Sequence, residues 1–314
     1  MRRQFTMPGQ TPIHTPYDGS SKPFTIGLSP LDLKDWIEVD ENLLPHLAEK
    51  QRLYSEIPTD IFVEKNETRD AQREVLGLIE SHLAETCPRT HRRKGDRVAV
   101  IGFDDDNIAL PDAPLAKASM LVQEDLILMR RHNDGWRLDA GALCFPSSWS
   151  LTEKFGRPLQ EIHIPIPGFG PGTRPDILIE RMFDKLQVEQ PVQRYNWSMQ
   201  AGDALYLPLS NSQRDIRATE RPSNYPDGDI NAHAFIRVER QTLRKLPTSQ
   251  DILFTIRIHL DPLRTLEKHP ERARIAASFA TQLEALDEAQ LDYKGLTADR
   301  DALVAFLRQA AVQA

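Results

Sequence analysis

Between residues 68 and 86 the apolar side chains Ala71, Val75, Leu78, Ile79 and Leu83 recur at helical spacing, and Pro88 ends the run. Shorter stretches at 43–55, 150–155 and 175–187 also read as helices; Gly156 closes the second and Pro175 opens the third. Toward the C-terminus, Ile275, Phe279, Leu283 and Leu286 mark a helix over 270–287. Leu303, Phe306 and Leu307 mark another over 298–311, with Thr297 as its N-cap. Elsewhere the period is two. Ile252, Phe254, Ile256 and Ile258 share one face of a strand over 251–260, while Thr255, Arg257 and His259 share the other. Over 232–243, Phe235, Arg237, Glu239 and Gln241 alternate in the same way with Ile236, Val238 and Arg240.

Further strands are expected at 61–67, 136–145, 192–200 and 203–209, and residues 117–131 read as helix running into strand. Clusters of Gly, Pro, Asn and Asp separate the later strands, which points to an antiparallel sheet. Strands gathered late and helices earlier favour an α+β fold over a doubly wound one. The division expected is a flexible segment 1–22, a main domain 23–267 and a C-terminal helical extension 268–314 packed on it. Residues 88–115 read as a polar connector. Its Asp104-Asp105-Asp106 run lacks the ligand spacing of a calcium loop.

Composition narrows the classes. With 314 residues, 40% hydrophobic and 27% charged, the chain is an ordinary globular protein of one large or two modest domains. A net charge of -7 argues against general binding to nucleic acid or to anionic membranes. No window approaches the roughly 18 consecutive apolar residues of a membrane-spanning helix. Arg2 and Arg3 lead into a polar, proline-containing stretch rather than a signal-peptide core, so a cytoplasmic protein is expected. Two cysteines, Cys87 and Cys144, cannot hold a [2Fe–2S] cluster on four thiolates within the chain.

Among the nine histidines, His163 stands in a short apolar run held open by prolines, Ile162-His163-Ile164-Pro165-Ile166-Pro167-Gly168. An imidazole buried there without a partner costs on the order of a few kcal/mol. A backbone carbonyl, a carboxylate or a metal would each serve. Arg237, Glu239, Arg240 and Arg257 put more charge on two strands than solubility requires. The alternatives are cross-strand ion pairs or an arginine fork reaching a carboxylate or propionate. Arg194, Asn196 and Trp197, within Gln193-Arg194-Tyr195-Asn196-Trp197-Ser198, combine donors with an aromatic plane that serves either core or cofactor wall.

His259-Leu260-Asp261 resembles half of a two-histidine, one-carboxylate iron site. The nearest downstream histidine is His269, whereas such sites draw the second histidine from a distant element. Cys144 reads as a small buried hydrophobe. Gly168-Phe169-Gly170-Pro171-Gly172 is a turn rather than a dinucleotide loop, because no strand–turn–helix unit surrounds it.

Five blocks, LVQEDLILM (121–129), AGALCFPSSWSLTEKFGRPLQEIHIPIPGF (140–169), PVQRYNWSM (191–199), IRVERQTLRKLP (236–247) and ILFTIRI (252–258), together resemble the haem-dependent oxidative N-demethylases. That family includes the haem subunit of dimethylamine monooxygenase, and the resemblance covers roughly residues 23–267. It implies a PAS-like antiparallel sheet holding haem b, with His163 carried over as the axial iron ligand. It also implies O2-dependent removal of a methyl group, as formaldehyde, from a small secondary amine such as dimethylamine. The R-V-E-R-Q block carries over Arg237 and Glu239 as candidate catalytic groups. Arg194, Asn196, Trp197, Arg240 and Arg257 are candidate cofactor contacts. Since no flavin, nicotinamide or iron–sulfur fingerprint is present, electrons are expected from a separate FMN/[2Fe–2S]/NADPH reductase. The alternatives are a PAS-type haem sensor without turnover and a haem-free family member.

Overall fold

The computed structural model describes residues 11–104 and 108–312. Its strands are β1 (Ser29–Pro30), β2 (Phe62–Glu64), β3 (His91–Lys94), β4 (Arg97–Val100), β5 (Asp125–His132), β6 (Gly135–Ala142), β7 (Val192–Ala201), β8 (Ala234–Lys245) and β9 (Ile252–Pro262). Seven of them form one antiparallel sheet in the order β1-β7-β8-β9-β5-β6-β2, and β3 and β4 form a separate hairpin. With helices on both sides, the fold is α+β.

Register decides what each face carries. Arg194 lies opposite Gln241, which lies opposite Ile256 and then Asp125, all on the first face. One residue along, Tyr195, Arg240 and Arg257 line up on the second. Because side chains alternate strictly, the charged positions of β8 and β9 are shared between two separate environments.

The second face is dry over β7 and β8. Trp197, Met199, Ile236 and Val238 pack there against Phe279, Leu283, Leu303 and Leu307 of the helices Arg272–Glu284 and Arg300–Val312. Further along, Trp36 joins the sheet to the helix Arg69–Thr86, with its ring 5.4 Å from His82 and the Arg244 guanidinium 4.1 Å above it. The first face is covered more loosely. The turns Leu151–Lys154 and Leu159–Ile162 and the helix Arg174–Lys185 leave a cavity between themselves and the sheet.

Several expectations are corrected. Residues 11–22, expected to be flexible, lie on the second face where described: Tyr17 is fully buried and stacks on Phe279 at 4.4 Å. Residues 1–10 lie outside the described part. The strand expected at 203–209 reduces to one bridge between Ser147 and Leu207. The polar connector contains the β3–β4 hairpin and runs into the helix Pro114–Ser119, while Asp105 and Asp106 lie outside the described residues. A helix over Asn211–Glu220, with a Ser210–Gln213 capping box, went unforeseen because it buries no residue and so carries no apolar stripe.

Candidate functional site

The cavity has a volume of about 510 Å³, within the range of small-molecule and cofactor sites. Its walls are mainly apolar: Ile127 and Met129 of β5, Leu243 of β8, Phe254 and Ile256 of β9, and Ile179 and Phe183 of the helix Arg174–Lys185. Local sequence sets His163 at the edge of this space. Pro158 opens the single helical turn Leu159–Ile162, and His163 closes it in helical geometry. The apolar run that its prolines were expected to hold open is therefore a turn, with further turns through the prolines that follow.

His163 is half-buried and lines the cavity. Its Nδ1 is fully buried and has no partner among the described residues. Burial, and then the nearby charges of Lys154 and Arg194, push its pKa down to about 4, so the ring is neutral at ordinary pH. A neutral imidazole on the cavity wall keeps one nitrogen lone pair, which makes the ring a candidate electron-pair donor once that nitrogen is turned toward the cavity.

A polar cluster lies on the sheet side of the same cavity. Glu239 accepts from Gln241 Nε2 at 2.9 Å and from Asn196 Nδ2 at 3.4 Å. Arg194 lines the cavity with its Nε buried and unpartnered, and burial lowers its pKa. Lys154 lines the cavity with its ammonium 4.4 Å over the Trp149 ring, and burial brings it down to about 7. Lys294 donates to the Trp197 carbonyl and is brought down to about 8 by burial. Tyr293 is raised to about 12, first by burial and next by Glu239.

The structure thus brings four of the expected residues, His163, Arg194, Asn196 and Glu239, to one cavity. Arg237 shares the face of Glu239 but is fully buried beyond the cavity wall, where its Nη2 donates to the Phe145 carbonyl at 2.6 Å. Trp197, Arg240 and Arg257 occupy the opposite face. Trp197 Nε1 donates to Gln282 at 3.0 Å, Arg240 to the Trp36 and Asp35 carbonyls, and Arg257 Nη2 to Asp40 at 2.6 Å. Sequence reasoning did not single out Lys154, Gln241, Tyr293 or Lys294. The helix that presents Tyr293 and Lys294, Glu288–Lys294, is announced by an Asp287–Gln290 capping box. Nothing in its sequence says that it turns toward the sheet.

An apolar cavity edged by one free imidazole and several basic groups is a site for a large, partly anionic ligand that accepts an electron pair. The comparison with known families agrees. Residues 27–304 match the family described as haem-dependent oxidative N-demethylase, alpha subunit-like, and the chain belongs to that family. The residues present fit a haem group. His163 Nδ1 has no partner among the described residues, the walls suit a macrocycle, and Lys154 and Arg194 suit its carboxylates.

Proposed function

We propose that the cavity holds haem b through His163 and that the protein carries out oxidative N-demethylation of a small secondary amine of the dimethylamine type. The observation that carries this reading is the buried, unpartnered imidazole on the wall of an apolar cavity in a member of this family. On the same reading the antiparallel sheet is PAS-like. Electrons come from a separate FMN/[2Fe–2S]/NADPH reductase, and formaldehyde is released.

When bound, the haem supplies O2 chemistry and the oxidising power. The protein supplies the rest. Glu239 is the carboxylate that lines the cavity, and the donors from Asn196 and Gln241 fix its orientation. A protonated secondary amine pairs with the Glu239 carboxylate, which takes the proton and leaves the nitrogen neutral for oxidation. Arg194 and Lys154 would bind the haem carboxylates, while the Lys294 ammonium is held by the Trp197 carbonyl. Arg237 is a positioning residue: by binding the Phe145 carbonyl and approaching Glu239 Oε1 to 3.9 Å, it sets β8 against the cavity end. The apolar walls exclude water from the amine methyl groups.

Formaldehyde release from dimethylamine, with reductase and NADPH supplied, tests the reading. Glu239→Gln is expected to retain haem but to lower kcat/KM by about 10²–10⁴-fold, the usual range for losing a general base. An unchanged rate in that variant removes Glu239 from the chemistry. Haem binding without formaldehyde release from any small secondary amine favours a sensor.

A further inference from the structure

On the second face of the sheet, remote from the cavity wall, two histidines and a glutamate converge from three parts of the chain. His14 comes from the N-terminal segment, Glu38 from the loop before the helix Leu43–Glu56, and His259 from β9. His14 Nε2 lies 2.7 Å from Glu38 Oε1, and His259 Nε2 lies 3.2 Å from Glu38 Oε2. One donor atom from each of the three lies within 4.8 Å of the others. Ligand atoms around a tetrahedral zinc-sized ion stand roughly 3.3 Å apart, given metal–ligand distances of about 2.0–2.1 Å. Two of the separations lie close to or just below that spacing and all three atoms lie within 4.8 Å of one another, so small rotations separate the present hydrogen-bonded cluster from a coordinating one.

We propose that His14, Glu38 and His259 form a binding site for one divalent first-row cation of the zinc class, clamping the N-terminal segment to the sheet. The donor set is two imidazoles and a carboxylate, as in zinc and non-haem iron sites that keep a coordination position open. His259 is nearly buried, while His14 and Glu38 keep 19% and 27% of their side-chain surface, which leaves an entry path and room for a water ligand. Both imidazoles would bind through Nε2, leaving the ring proton on Nδ1.

Around the cluster stand the carboxylates of Asp40 and Asp261 and two guanidiniums, those of Arg257 and Arg240. Arg257 is held by Asp40, and Arg240, 3.8 Å from Glu38, is occupied by backbone carbonyls and Gln193. The His14 ring packs 4.7 Å from Tyr195 and 4.9 Å from His259, which restricts its rotation. The H-x-D pair suspected in the sequence thus finds its second histidine upstream, and the carboxylate of the cluster is Glu38 rather than Asp261.

The test is calorimetric titration of zinc chloride into the chelator-treated full chain, with His14→Ala, Glu38→Gln and His163→Ala run alongside. Wild type and His163→Ala are expected to bind one equivalent with equal affinity, while His14→Ala and Glu38→Gln weaken binding at least about tenfold. Zinc should also slow proteolytic cleavage within 11–22 in wild type and not in His14→Ala, whose fold is checked by circular dichroism. Absence of stoichiometric zinc binding overturns the proposal, as does equal affinity in His14→Ala and Glu38→Gln. A His163→Ala variant that alone loses zinc assigns the ion to the cavity and equally overturns it.

Discussion

His163 carries a buried nitrogen that no group among the described residues satisfies, and such a group costs about 1–3 kcal/mol in the ligand-free fold. His163→Leu removes that cost, so the haem-free variant should be as stable as wild type or about 1 kcal/mol more stable in urea unfolding. A clear loss of stability would mean that the imidazole is paired in solution. His82 makes a different prediction. Burial, and then the charge of Arg244, lower its pKa to about 4, and its Nε2 is unpartnered. The unfolded chain therefore takes up this proton first. Its contribution is complete above about pH 6.5 and is lost as pH falls toward about 4. His82→Gln should shrink the drop in urea midpoint between about pH 7 and pH 5; a drop of unchanged size contradicts the assignment. At this scale the place of His163 beside an apolar space was legible, because apolar residues and prolines surround it in sequence. Lys154 and Lys294 were not, since a lysine enclosed by distant elements looks like any surface lysine until the chain is folded.

The elements differ in how openly the sequence declares them. β8 and β9 alternate strictly, so the separation of Glu239 from Arg240, and of Ile256 from Arg257, could be read without coordinates. What alternation does not give is which face meets the cavity; that depends on where the helices pack. Trp197 shows the consequence, because its neighbours Asn196 and Ser198 line the cavity while it packs against the C-terminal helices. The helix Glu288–Lys294 carries Tyr293 and Lys294 to the cavity and ends on Gly295 at φ +64. The Gly295 carbonyl accepts from Arg217 and Asn224, at 3.3 and 2.8 Å. A Cβ there would overlap the Arg217 guanidinium. Gly295→Ala should therefore destabilise the protein by about 1–2 kcal/mol, the usual penalty for a left-handed residue with a side chain. Thermal unfolding measures it. An unchanged Tm would show that the helix end rearranges freely.

In the whole molecule the sheet acts as a partition. One face, loosely covered, supplies the cavity, and the other binds the C-terminal helices and the N-terminal segment through a dry core and the His14–Glu38–His259 cluster. Among the described residues no helix is long and apolar enough to cross a membrane. The central claim is that His163 holds haem in the cavity, and absorbance during titration of hemin into haem-free protein tests it most directly. Wild type should develop a Soret band saturating at one haem per chain, and His163→Ala should lose that band or shift it. The same spectrum and haem content in His163→Ala would contradict the claim.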